Sequence, residues 1–353
     1  MKQLFYKLFF LLPIPFIIGL TNYELDNAHL FDSEEFLDSV INIIRLGKNV
    51  ANIKNYDERL FQKKYIEQLT VAPEIIILGS SRVLQIGPKH LNNDNLFNHG
   101  VSGAVLQDIL AIYYPYHHKK IKPKKIVLGL DPWILNKNNN EFRWQTIKGE
   151  YSKMIDFLQI KEHESKQKTY FSYEKNLVKE LFSFKYFIES IKDRNQYCTP
   201  TIENISSNQI LTTNGTRSYS YSTRQRSQKN INDLANIYGK GASISWLNNF
   251  EKIDPELKSN LLTLIQYLLK ERIKITLYLP PFHPKTYKSI IDDDELLIVK
   301  KVEKYFREVG KKYGLEIIGS YDPDNIEFKE GDFYDGLHAK EESLLKLFKK
   351  SNL

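Results

Sequence analysis

Apolar positions crowd the start of the chain and then recur in two rhythms. The first twenty residues read MKQLFYKLFFLLPIPFIIGL, an almost unbroken apolar run over residues 8–20 behind Lys2 and Lys7. Phe36, Leu37, Val40, Ile41 and Ile44 then repeat at helical spacing behind the capping-box pair Asp32 and Glu35, with Gly47 as the stop. From residue 71, short apolar runs alternate with helical patterns. Residues 74–78 read as a buried strand ending in Gly79-Ser80-Ser81-Arg82, residues 104–114 as a helix and residues 125–130 as a second strand. The rhythm fades over about 136–245, rich in Asn, Lys, Ser and Tyr, and is regular there only near 175–191. It returns at Asp254-Pro255, an N-cap and first helical residue, with Leu261, Leu262, Ile265, Leu268 and Leu269 on the inner face. A strand at 273–279 closes on Pro280-Pro281, a helix at 296–313 ends at Gly314, and a strand at 315–318 and a helix at 339–350 complete the chain.

Strands alternating with helices predict an α/β domain over residues 71–353, three layers deep around a parallel sheet, with residues 136–245 inserted into it. Residues 25–70 are expected as an amphipathic helical linker, a stalk or a docking surface. Residues 1–24 have the form of an export signal or signal-anchor. The apolar run is short for a span of about 20 residues unless Leu4 to Tyr6 are included and Lys7 snorkels. No A-x-A-like cleavage site follows. The expectation is an uncleaved single-pass membrane anchor with residues after about 25 extracytoplasmic; a cleaved signal peptide and a buried core helix are the alternatives.

Composition narrows this further. Of 353 residues, 42% are hydrophobic, 13% aromatic and 26% charged, which excludes disorder, a collagen and a polytopic membrane protein for the whole chain. The single cysteine, Cys198, excludes an internal disulfide and a multi-cysteine metal site. A net charge of +7 from 50 basic and 43 acidic side chains reads as a solvated surface, so no nucleic-acid partner is expected. No P-loop, dinucleotide fingerprint or zinc pattern occurs, and neither cofactor nor metal is expected.

Chemistry in parallel sheets sits at the carboxyl ends of the strands, and three groups fall there. Ser81 follows the first core strand. Gly100 and Gly103, in Asn98-His99-Gly100-Val101-Ser102-Gly103, precede the next helix. Asp335 and His338, in Asp335-Gly336-Leu337-His338, precede the last helix. A serine hydroxyl needs a base to become a nucleophile, and histidine has the pKa for that role. A carboxylate on the far ring nitrogen fixes the tautomer and stabilises the imidazolium. Backbone N–H groups of Ser81 and Gly103 are the candidate oxyanion hole.

These blocks resemble the SGNH/GDSL hydrolase superfamily: Gly79-Ser80-Ser81 its nucleophile block, with Ser80 where the family often has Asp, Asn98 to Gly103 its glycine block, and Asp335 to His338 its terminal Asp-x-x-His block. The similarity covers roughly residues 72–131 and 255–350. It implies an SGNH-like, flavodoxin-like three-layer fold with Ser81, Asp335 and His338 as catalytic residues. The apolar amino terminus, the Gly-Ser-Ser-Arg turn and the Pro280-Pro281-Phe282-His283-Pro284 loop resemble a narrower group of anchored proteins. That group includes alginate O-acetylation proteins and the protein that D-alanylates teichoic acid, several of which work beside a membrane-bound O-acyltransferase. The implied role is a serine O-acyl (acetyl) transferase or esterase acting on a cell-surface glycan. The rivals are a non-catalytic envelope protein that holds a glycan or such a partner, and a cytoplasmic esterase.

One departure bears on that choice. Many family members have Gly-x-Asn-Asp where this chain has Gly129-Leu130-Asp131-Pro132-Trp133. An ionised Asp131 cannot donate to an oxyanion, so activity requires either a hole built from backbone or a carboxylate turned away, for which Arg82 is the expected partner. Arg82, Asp131 and His283 are candidate substrate-binding residues, with ion pairing and loop packing as the structural alternatives. Trp133, Arg143 and Trp144 are a candidate sugar-stacking platform or simply core. His117-His118 reads as a solvated helix end. Arg217, Arg224 and Arg226 line a cleft or belong to an exposed turn.

Overall fold

A computed structural model describes residues 13–26, 33–53, 56–161, 178–193, 199–202, 209–239 and 245–350. In chain order the elements are α1 (Pro13–Leu25), α2 (Ser33–Arg45), β1 (Asn49–Ala51), α3 (Glu58–Glu67), β2 (Ile75–Leu78), α4 (Pro88–Leu91), β3 (Leu96–Asn98), α5 (Leu106–His118), β4 (Lys125–Gly129) and α6 (Lys148–Leu158). There follow α7 (Phe184–Asp193), β5 (Thr199–Thr201), β6 (Ile210–Leu211), β7 (Arg217–Ser218), α8 (Tyr221–Arg224), α9 (Gln228–Gly239), α10 (Pro255–Lys270), β8 (Lys274–Leu279), α11 (Pro284–Ile291), α12 (Ile298–Tyr313), β9 (Glu316–Gly319) and α13 (Glu341–Lys350).

Five parallel strands form the central sheet in the order β3-β2-β4-β8-β9. Numbered by their occurrence within this sheet, that is 2-1-3-4-5, the doubly wound order whose switch point lies between the first and third strands. Successive side chains of β2 face opposite ways, as the twofold strand period requires. Ile76 and Leu78 enter a large core with α5, α10 and α12, while Ile75 and Ile77 enter a smaller one with Leu344, Leu347 and Phe348 of α13. Helices therefore cover both faces. The sequence-predicted caps hold: Asp254 accepts N–H bonds from Glu256 at 3.0 Å and Leu257 at 2.9 Å, and Gly314 ends α12 at φ +64°. The helix predicted at 104–114 runs on through Pro115 to His118.

Two stretches do more than the sequence suggests. Leu37, Val40, Ile41 and Ile44 of α2 and Phe61 and Ile66 of α3 lie in the same core as Ile76 and Leu78, so residues 25–70 are not merely a connector. Trp144, Ile147, Tyr151 and Met154 of the polar stretch are buried in that core too. A second, antiparallel sheet in the order β5-β1-β6-β7 joins one strand from residues 25–70 to three from residues 136–245.

Residues 1–12, including Lys2 and Lys7, as well as Asp32 and Cys198, lie outside the described residues. Among those described, no helix is long and apolar enough to cross a membrane; α1 has 13 residues.

Candidate active site

The site begins where β2 ends beside β4. A Cβ on Gly79 would lie 3.0 Å from the Gly129 carbonyl oxygen and 3.0 Å from Val83, and Gly79 has φ +156°; no side chain fits there. The chain then enters a 3-10 turn at Ser81–Val83, with the Ser80 hydroxyl accepting the Arg82 N–H at 3.2 Å. Ser81 therefore stands at the carboxyl edge of the sheet, at the switch point between β2 and β4.

The Asp335 loop meets it from the far side of the sequence. A Phe333–Ala339 bridge closes the loop, and the Tyr334 N–H donates to the His338 carbonyl at 2.8 Å. Gly336 has no room for a side chain, since a Cβ would lie 2.6 Å from Tyr238 and 2.7 Å from the Thr286 hydroxyl. Ser81 Oγ lies 2.9 Å from His338 Nε2, and His338 Nδ1 lies 3.0 Å from each Asp335 oxygen. Asp335 also accepts the Leu337 and His338 N–H groups at 2.8 and 2.9 Å. Burial pushes the Asp335 carboxyl up, but the His338 charge and these hydrogen bonds outweigh it and hold the carboxyl well below its usual range. An ionised Asp335 assigns the proton to Nδ1, which leaves Nε2 free to accept the Ser81 proton. The arrangement is that of a base-activated serine.

Arg82 and Asp131 meet as expected, and they do not face substrate. Arg82 Nη1 donates to Asp131 Oδ1 at 2.9 Å, and each side chain is 1% exposed. The same guanidinium donates to the carbonyls of Leu337 at 3.2 Å, Pro280 at 2.7 Å and Pro281 at 2.5 Å, and lies 4.3 Å over the Phe282 ring. It thereby ties the nucleophile turn to the ends of β4 and β8 and to the Asp335 loop. Burial pushes the Asp131 carboxyl up, against the Arg82 charge. Both substrate-binding candidates are therefore buried, Arg82 on four internal acceptors and Asp131 Oδ1 on Arg82.

His283 is also inside. It is fully buried, caps α11 by accepting the Lys285 N–H at 3.2 Å, and donates its own N–H to the Gly336 carbonyl at 3.1 Å. Burial lowers its pKa to about 4, so it is a neutral packing residue beneath the Asp335 loop. Trp133 and Trp144 are buried as well, which removes them as a sugar platform; Trp133 donates to the Ala104 carbonyl at 3.0 Å. His117 packs against Phe157 and bonds Tyr267 at 2.9 Å.

The glycine block packs beside the nucleophile turn as a second wall. Asn98 donates to the Val83 and Ile86 carbonyls at 2.7 and 2.8 Å and accepts the Gly100 N–H at 2.8 Å, which binds this loop to the nucleophile turn. Gly103 has φ +63°, and a Cβ there would lie 2.5 Å from Arg143 and 3.2 Å from Trp246. Neither the Ser81 nor the Gly103 N–H donates to another group among the described residues.

Sequence reasoning missed what holds this wall. Glu58 of α3 accepts from the Ser102 N–H, from the Ser102 hydroxyl at 3.0 Å and from Arg217. Arg59 pairs with Asp108 at 2.7 Å and donates to the Ser102 carbonyl at 3.1 Å. Burial would raise the Glu58 carboxyl, yet Arg217, the Ser102 N–H and Arg59 hold it down to about 2. Beyond Arg217, Tyr219 packs on His338 with ring centroids 5.6 Å apart, and Arg226 reaches to 3.7 Å from Asp335 Oδ2. The one sequence signal for these was the run of arginines at 217, 224 and 226.

A family model described as "Protein of unknown function (DUF1574)" matches residues 11–347. The chain belongs to that family, which takes in α1, the 136–245 stretch and both walls of the site. A comparison with curated proteins returns no match.

Proposed function

We propose that this chain is an SGNH-like serine acyl-transfer enzyme, an O-acyl (acetyl) transferase or esterase acting on a cell-surface glycan. The observation that carries the reading is the continuous relay of Ser81 Oγ, His338 and Asp335 at 2.9 and 3.0 Å on the switch-point edge of the sheet. Ser81 attacks the acyl carbonyl as His338 Nε2 takes its proton, and the developing oxyanion faces the free N–H groups of Ser81 and Gly103. His338 returns the proton to the departing alcohol or thiol, leaving an acyl-Ser81. A sugar hydroxyl or water then attacks that ester while His338 takes the acceptor's proton, and Ser81 regains its proton as the acyl group leaves. Asp131, locked onto Arg82, does not oppose the oxyanion. Half-exposed Tyr219, Tyr238 and Trp246 offer aromatic surface beside the triad and the glycine loop for a pyranose face.

The resemblance in the nucleophile turn and the Pro280-Pro281 loop supports an extracytoplasmic setting, with the apolar amino-terminal segment as membrane anchor and a membrane-bound O-acyltransferase as donor partner. A fluorophosphonate probe tests the chemistry. The expected result is labelling of the wild type and none of Ser81→Ala; a folded wild type that resists the probe leaves a non-catalytic, glycan-holding role.

A further inference from the structure

Nine of the sixteen large hydrophobic side chains exposed among the described residues lie on two segments far apart in sequence, α1 and residues 178–184. Phe16 is 70% exposed and Ile17 and Leu20 54% each; Val178, Phe182 and Phe184 are 61%, 53% and 64% exposed. Scattered exposed apolar residues are ordinary, but a concentration of this kind marks an interaction face. The two segments are also joined by design. Asn22 is fully buried between them and donates Nδ2 hydrogens to the carbonyls of Glu180 at 3.2 Å, Leu181 at 2.9 Å and Ser183 at 3.1 Å. The Tyr186 hydroxyl donates to Asp26 at 3.0 Å, and Gly19 leaves space for the Phe182 ring, 3.1 Å from where a Cβ would stand. Buried polar bonds fix how the pair sits together, while apolar side chains point outward.

We propose that α1 and residues 178–187 form one membrane-contact unit, in which the segment from the middle of the chain lies in the bilayer interface beside the amino-terminal segment. This rests on the anchor reading above and adds a second contact to it. The bilayer is the occupant favoured by three observations. Residues 8–12 continue the apolar run directly into α1, behind Lys2 and Lys7. The exposed apolar side chains of α1 and of residues 178–184 belong to one hydrogen-bonded unit, so both segments can enter the same boundary together. Lys179 on the partner segment and Lys192 near the end of α7 are exposed, where anionic headgroups would meet them.

The test uses the full chain on phosphatidylcholine vesicles with about a quarter phosphatidylglycerol, carrying brominated acyl chains as a shallow quencher. Phe184→Trp and Ile17→Trp report the two segments, and Ile237→Trp, on an exposed face of α9, is the control. The expected result is matching quenching of the indoles added by the first two and none of the third. Phe182→Asp combined with Phe184→Asp is expected to speed tryptic cleavage at Lys179 and Lys185 on vesicles about tenfold, with co-flotation through the anchor and circular dichroism unchanged. Quenching in Ile17→Trp without quenching in Phe184→Trp overturns this inference and leaves the anchor standing; quenching in neither overturns both. A dimer in solution that the double aspartate variant dissociates also overturns it, assigning the face to a second copy of the chain.

Discussion

The two walls of the site are held by opposite strategies. On the sheet edge, one guanidinium, that of Arg82, bonds four separate backbone or carboxylate acceptors, and its partner Asp131 is pushed up by burial. On the glycine-loop side, one carboxylate, that of Glu58, collects Ser102 and Arg217 and is held down to about 2. The first wall joins the nucleophile turn to the ends of the neighbouring strands β4 and β8 and to the Asp335 loop. The second joins the glycine loop to α3 and β7, neither of which belongs to the central sheet. Rigidity at the nucleophile thus comes from the sheet, whereas the candidate oxyanion loop depends on contacts with parts of the chain outside it.

The largest expected effect lies at the point both walls serve. Ser81→Ala should lower acyl transfer at least about a thousandfold with little change in melting temperature, because among the described residues the side chain bonds only His338.

Next comes the sheet-edge wall. Arg82→Ala strands Asp131 and three carbonyls, and should cost about 3–5 kcal/mol in chemical denaturation. Asp131→Asn keeps an acceptor for Arg82, so it should cost less than Arg82→Ala and change turnover less than Ser81→Ala does. If Asp131→Asn switches on an otherwise inert protein, Asp131 was blocking the oxyanion and the native chain is not an enzyme.

The glycine-loop wall should yield to acid in its own way. Glu58 is depressed relative to its ordinary 4.5, so its contribution is complete above that pH and is lost as pH falls toward about 2, up to about 3 kcal/mol. Asp131, raised by burial, has the opposite sign: the folded state holds its proton more tightly and gains as pH falls. Glu58→Gln should therefore flatten the acid limb of stability, and Asp131→Asn should not. A second loss should begin at higher pH. His99 and His283 are buried with pKa values lowered to about 3 and about 4, so the unfolded chain takes up their protons first as pH drops below 6.5. Each pH unit in that window should cost up to about 1.4 kcal/mol per histidine, and His99→Gln should remove its share in a melting-temperature series.

The same contrast explains what could be read from the sequence. Ser81, Gly103, Asp335 and His338 were nameable because each sits next to a strand or helix boundary with its own local pattern, and β2, β4, β8 and β9 announced themselves by apolar runs. β3, three residues long, carries no pattern to detect. Nothing local to Glu58 or Arg217 predicts that they meet, and the low periodicity of 136–245 hid side chains such as Trp144 and Met154 that are buried in the core. The edge on which Arg82, Asp131 and His283 lie and the Arg82–Asp131 contact are legible in the sequence, but their burial is not, because sequence gives a residue's position along the strand and not its depth.

The central claim is that His338 makes Ser81 a nucleophile, and peptide mapping after brief exposure to an activated acetyl ester tests it most directly. The account predicts one acetyl group on the peptide bearing Ser81, lost in Ser81→Ala and strongly reduced in His338→Ala. Acetylation of Ser80 or Ser102 instead, or of Ser81 to the same extent without His338, would contradict it.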